Sequence, residues 1–282
     1  MHAFISDLIR QKLPQLRQGL GEEAWGQLDE GCLRYLGFGI EDTCERFPSF
    51  VRGSWRQSLA CYQPTERYSH QGGPALMLIP GLFCMPSVFN RLGRELEERG
   101  VDVYLPRPFP MGHGVLANTM RVDKAVRVLL EDLESLRADG LARISLAGHS
   151  LGGVILLRAL QQAKSEGRRI PQVQRVILLA SPLRGAPVAG LVSPVIPACR
   201  DIAPGSSLLG ELEPSWERVT HVLAADFDSL VPDAAQRISG PKLLVLEGFQ
   251  HHDFYVGSPE QIALTADALR RILPRARVKR AS

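Results

Sequence analysis

The sequence predicts an α/β fold: a mainly parallel central sheet flanked by helices, preceded by an N-terminal helical extension. Three observations carry this. From residue 75 onward, short apolar runs alternate with amphipathic stretches, the pattern of strands joined by helical crossovers. Those runs, such as Ala75-Leu76-Met77-Leu78-Ile79, are continuously apolar, which suits strands buried on both faces. The first 70 residues show helical spacing (Phe4, Ile5, Leu8, Ile9, Leu13; then Trp25, Leu28, Cys32, Leu33, Leu36) and no strand alternation.

In order, the expected elements are a strand at 75–79 after the turn Gly72-Gly73-Pro74, a helix over 87–99 closed by Gly100, and a strand at 101–105. A Pro/Gly loop covers 106–118. Thr119 then caps a long helix running to Arg137 and ended by Gly140. A strand at 143–147, a helix at 151–164 and a strand at 173–180 follow. The segment 181–205 reads as a long Pro/Gly-rich loop. Strands at 221–225 and 243–246 and a helix at 259–273 complete the series. The expected organisation is residues 1–70 as the extension, 71–275 as the α/β domain and 276–282 as a basic tail.

With 282 residues, 45% hydrophobic and 22% charged, the chain has apolar surface enough to offset chain entropy, which excludes wholesale disorder. Net charge is +3, but six cations lie between Arg270 and Arg280; without them the balance is −3. Basicity confined to a tail argues against nucleic acid as a partner. Five cysteines (Cys32, Cys44, Cys61, Cys84, Cys199) are odd in number and form no C-x-x-C pair, so neither a disulfide framework nor a metal site is expected. They read as buried thiols of a reducing compartment, hence a cytoplasmic location. No apolar run approaches the about 20 residues of a membrane span. Peripheral membrane contact through the N-terminal helices stays open, and oligomeric state is not legible.

In open parallel sheets ligands bind beyond the carboxyl ends of the strands. One such strand end carries Gly148-His149-Ser150-Leu151-Gly152, a G-x-S-x-G between a strand and an apolar helix. A nucleophile on so tight a turn needs strained backbone angles and neighbours without Cβ. The helix N-terminus and the Leu151 amide then favour a developing oxyanion. A phosphate-binding reading fails, because the Lys-Ser/Thr end of a P-loop is missing.

Residues 73–273 resemble the α/β-hydrolase superfamily, in particular small bacterial lipases and esterases. The likeness rests on Gly148 to Gly152 and on four further places. Leu78-Ile79-Pro80-Gly81-Leu82-Phe83 is similar to the strand-ending oxyanion loop, with Pro80 where His is usual. Ser181-Pro182-Leu183-Arg184-Gly185-Ala186-Pro187 is similar to a T-P-H-x-G-x-P segment of lipases. Asp228-Ser229-Leu230-Val231-Pro232 resembles the acid-bearing D-x-x-V-P loop, and Gly248-Phe249-Gln250-His251 the histidine loop. The resemblance implies Ser150 as nucleophile, His251 as general base and Asp228 as its acid, with backbone amides of Leu82 and Leu151 as the oxyanion hole. His252 and Asp226 are near rivals of His251 and Asp228, and Asp253 could support the loop through backbone hydrogen bonds.

Phe83, His149, Val188 and Leu191 are expected to line the substrate site, with the apolar segment 188–197 shaping an acyl pocket or filling core. Arg184 could meet a substrate anion or remain a surface charge; His113, between glycines, reads as a turn residue, and Cys84 as packing. The implied activity is hydrolysis of a carboxylic ester or lipid with an apolar acyl group, without metal or organic cofactor. The same residues would serve a thioesterase or an acyltransferase, and a non-catalytic lipid-binding protein on the same fold is the rival from another class.

Overall fold

The structure, a computed structural model, describes residues 72–82, 84–107, 121–194, 196–228, 230–232 and 236–274. The expected N-terminal extension, the basic tail, Phe83, His113 and Thr119 lie outside these residues. Six strands form one sheet: β1 (Ala75–Ile79), β2 (Asp102–Tyr104), β3 (Arg143–His149), β4 (Gln172–Leu179), β5 (His221–Ala225) and β6 (Lys242–Leu246). They lie in the order β2-β1-β3-β4-β5-β6 and every pair is parallel.

The chain steps outward from β1 to β2, then returns to the other side of β1 to place β3. This reversal is a topological switch point, and it opens a crevice beyond the carboxyl ends of β1 and β3. Because crossovers are right-handed, helices before and after the reversal cover opposite faces of the sheet. On one face lie α2 (Val122–Ala138) and α3 (Leu151–Ser165), packed on each other. Their apolar rows, such as Val126, Leu129, Leu130 and Leu133, join Met77, Ile79, Leu146 and Leu178 in one buried core. The alternate strand residues Leu76, Leu78, Ala147, Ile177 and Leu179 are equally buried and point to the other face. That face belongs to α1 (Asn90–Glu98), which packs against the C-terminal helix Pro259–Ile272. The edge strand β6 departs from the pattern, with Leu243 and Leu244 about two-fifths exposed.

Two expectations need correction. The single helix over 87–99 begins as a 3-10 turn, Pro86–Phe89, before α1. The stretch 181–205 is not one long loop, for it carries α4 (Pro187–Val192) and α5 (Pro197–Asp201), followed by α6 (Ser207–Leu212). The prolines that read as breakers occupy the first turns of α4 and α5, where a missing N–H costs nothing. Ala189, Ala198, Cys199 and Ile202 from this stretch enter the core, so much of its apolar character serves packing. The short α7 (Asp253–Val256) and then α8 (Pro259–Ile272) close the described chain. A capping box between Ser258 and Gln261 starts α8. No helix among the described residues is long and apolar enough to cross a membrane.

The start of α2 is capped from a distance. Arg121 holds the N-cap position without a side-chain cap. Instead buried Asp201, at the end of α5, accepts from the Val122 amide at 2.9 Å and pairs with Arg121 at 3.0 Å. This bond ties the inserted helices to the core and supplies the anion that a helix N-terminus favours. Asp201→Ala is expected to destabilise the fold by about 1–2 kcal/mol and Asp201→Asn by less, as read by urea unfolding.

Candidate active site

Ser150 follows β3 directly and precedes the first residue of α3, with φ 53° and ψ −128°. A positive φ at a non-glycine residue costs about 1–3 kcal/mol, and persists only where the surroundings impose it. Here the Ser150 amide donates to the Leu179 carbonyl at 2.8 Å, and the Ser150 carbonyl accepts from the Gly153 amide at 3.0 Å. The turn is also too crowded for side chains. A Cβ on Gly148 would stand 2.6 Å from the Gly152 carbonyl oxygen, and one on Gly152 would meet the carbonyl oxygens of Ile79 and Pro80. Leu151, in the first turn of α3, has an amide that no intrahelical carbonyl can accept.

The end of β1 is pressed against this turn. A Cβ on Gly81 would lie 2.8 Å from Ser150 Cβ and 3.0 Å from the His149 carbonyl oxygen. The Cys84 amide closes a turn onto the Gly81 carbonyl at 3.3 Å, with Leu82 inside it. Pro80, standing where the resemblance has histidine, ends β1 without removing an amide from Leu82.

The loops after β5 and β6 bring Asp228 and His251 into contact. His251 Nδ1 donates to Asp228 Oδ2 at 2.7 Å, with both side chains buried. That bond fixes the tautomer and leaves the lone pair on Nε2. The other oxygen, Asp228 Oδ1, accepts from the amides of Leu230 (2.9 Å) and Val231 (2.8 Å). Gln236, fully buried, donates to the Val231 carbonyl at 2.6 Å and reaches Asp228 Oδ2 at 3.4 Å. Nothing in the sequence around Gln236 signals this role, which depends on the fold placing it beside the carboxylate.

Asp226 accepts from the Phe249 amide at 3.1 Å, and Asp253 from the Gln250 amide at 2.8 Å; each braces the histidine loop. His252 Nδ1 meets the Tyr255 hydroxyl at 2.8 Å. Cys84 Sγ lies 3.3 Å from the same hydroxyl, and burial pushes its thiol up to about 11, so it stays protonated and a weak nucleophile. Arg184 Nε donates to the Arg237 carbonyl at 3.0 Å, and its guanidinium lies over Trp216.

Of the residues expected to line the substrate site, Val188 is half-buried on α4 and Leu191 lies on the same helix. His149 is placed differently from the expectation. It is fully buried, and its Nε2 contacts the His251 carbonyl oxygen at 2.7 Å, so its ring meets the histidine loop and offers no surface to a ligand.

The imidazoles of His149, His251 and His252 are in contact, the first pair tilted with ring centroids 4.7 Å apart and the second edge-to-face at 4.8 Å. Nitrogens of the three lie within 4.8 Å of one another, the one group of potential metal ligands among the described residues. Each ring already has a nitrogen hydrogen-bonded to a protein group. Burial, and then charge repulsion from His251, hold His149 and His252 well below the ordinary histidine value.

A profile of the Alpha/beta hydrolase family matches residues 76–279, and the chain belongs to that family. No curated protein matches it in sequence. Among solved structures, it is similar to a mature lipase of Bacillus licheniformis, at 14% identity over 70% of this chain and 95% of that one, with a TM-score of 0.54. A metagenome-derived lipolytic enzyme aligns at 15% identity over 74% of this chain and 97% of the other, with a TM-score of 0.55. Phospholipase PlaB from Legionella pneumophila aligns at 18% identity over 73% of this chain and 59% of its own, with a TM-score of 0.57. At these identities the likeness is one of fold.

Two outcomes follow from the packing and the charge states. Gly81→Ala forces its methyl onto Ser150, and is expected to lower hydrolase activity by about 100-fold, read as kcat/KM with a p-nitrophenyl ester as the test substrate. His149 and His252 are neutral when folded but take up protons near the ordinary value of 6.5 when unfolded. The unfolded chain therefore binds more protons, and stability, fully present above that value, is lost as pH falls through it. The slope is up to about 1.4 kcal/mol per pH unit for each ring. Urea midpoints from about pH 8 down to about pH 5 should show the loss, and His149→Gln should make it shallower.

Proposed function

We propose that this α/β hydrolase cleaves carboxylic esters with an apolar acyl group, through an acyl-enzyme on Ser150. The observation that carries the reading is the 2.7 Å bond from His251 to Asp228, together with Ser150 at the strained turn between β3 and α3. In the reaction His251 Nε2 takes the Ser150 proton as Oγ attacks the ester carbonyl. The tetrahedral oxyanion accepts hydrogen bonds from the Leu82 and Leu151 amides, fixed donors that need no reorganisation. Asp228 holds the imidazole tautomer and stabilises the imidazolium. Collapse breaks the bond to the alcohol, which takes the proton from His251. Water, deprotonated by the same ring, then releases the acid and restores Ser150. The apolar segment around Val188 supports an apolar acyl group, as do the lipolytic names of two of the similar structures.

The test is fluorophosphonate labelling of the wild type beside Ser150→Ala, with the adduct mapped by mass spectrometry and a p-nitrophenyl ester series from short to long acyl chains. Labelling at Ser150 that vanishes in the variant, with turnover rising as the acyl chain lengthens, is the expected result. A folded wild type that neither labels nor turns over any ester would sink the reading.

A further inference from the structure

His149 stands immediately before the nucleophile at the end of β3, and its role is not explained by the triad. Its Nε2 lies 2.7 Å from the main-chain oxygen of His251, a bond that joins residues 102 apart in the chain. A carbonyl oxygen can only accept, so Nε2 must carry the hydrogen. In the neutral ring that leaves Nδ1 bare, and Nδ1 is buried without a hydrogen-bond partner. A second proton there would be a buried donor with no acceptor, beside a base that becomes cationic during turnover. Burial and the two neighbouring histidines keep the ring neutral, in agreement with this geometry.

The His251 loop is thereby pinned at two points. Asp228 holds the imidazole, and His149 holds the main chain of the same residue. The second tie originates one residue from Ser150, so the position of the base is referred to the nucleophile's own strand rather than to the distant β5 and β6 loops alone. We propose that His149, as the Nε2–H tautomer, is a positioning residue that sets the distance between His251 and Ser150. The proposal rests on the reading of Ser150, Asp228 and His251 as a triad. Side-chain geometry allows a discriminating substitution: Gln places an amide nitrogen four bonds from Cα, as far along the chain as Nε2 of His, whereas Phe fills the space and donates nothing.

The experiment compares wild type, Ser150→Ala, His149→Phe and His149→Gln for kcat and KM on a p-nitrophenyl ester, with folding checked by circular dichroism. His149→Phe is expected to lower kcat by about 100-fold with KM little changed, and His149→Gln to recover most of that loss. Wild-type turnover in His149→Phe, or no recovery in folded His149→Gln, would overturn the proposal. A long-range 1H–15N imidazole spectrum of the wild type, with the His149 signal identified by its loss in His149→Gln, reads the tautomer without reference to activity. Protonation at Nε2 alone is expected; an Nδ1–H tautomer refutes the clamp even if His149→Phe fails to fold. Ser150→Ala separates the two levels: an active Ser150→Ala removes the triad reading itself, whereas an inactive one beside a fully active His149→Phe removes only the clamp.

Discussion

The backbone of Ser150 is held in a conformation that an L-residue resists, and the surrounding architecture is what holds it there. The amide is fixed to the end of β4 and the carbonyl to the first turn of α3. Glycines at 148 and 152 allow β3, α3 and the end of β1 to approach more closely than any side chain would permit. Close packing of this kind is stiff, since every neighbour is in contact already. The strain is therefore sustained by a large buried core rather than by local bonds alone. The loop after β1 is placed by the same packing, because Gly81 lies against Ser150 itself.

Around this rigid point the other groups are arranged by loops, and each loop is braced. Asp228 is held by two amides of its own turn and by Gln236. The histidine loop is tied by Asp226, Asp253 and His149. Each of these braces removes freedom from a loop that carries Asp228 or His251, the groups that the proposed mechanism needs closely positioned. The buried polar side chains of the region are a network in which nearly every donor finds an acceptor, as a low-dielectric interior requires. His149 Nδ1 is an exception, and it is the atom that must stay unprotonated for the rest to hold.

Much of this was legible in the sequence. The strands announced themselves as continuous apolar runs, because a parallel sheet is covered on both faces. Gly148 to Gly152 was readable because backbone strain leaves a composition signature in glycine. Asp228 and His251 stood out only through resemblance to a family, since nothing local marks them over Asp226 and His252; their contact is made between the loops after two neighbouring strands. The helices at 187–192 and 197–201 were hidden because proline signals both the end of one element and the beginning of another. Gln236 and the true surroundings of His149 were out of reach. A glutamine beside a carboxylate and a histidine beneath a carbonyl are products of tertiary folding, with no period or spacing to betray them. Asp201 at the start of α2 belongs to the same class, as a cap supplied by a residue 79 positions away.

The strand order has a consequence for how the molecule acquires competence. Ser150 and the Gly81-Leu82 loop lie at the ends of β3 and β1, adjacent strands near one side of the sheet, whereas Asp228 and His251 follow β5 and β6, the last two strands laid down at the opposite edge. A chain interrupted between residues 150 and 251 contains β1, β3 and Ser150 but lacks His251, the group to which the proposed mechanism gives the Ser150 proton. During synthesis Ser150 emerges about a hundred residues ahead of His251. On the proposed mechanism the nascent chain is therefore inert until its last strand is in place, and activity reports completion of the fold.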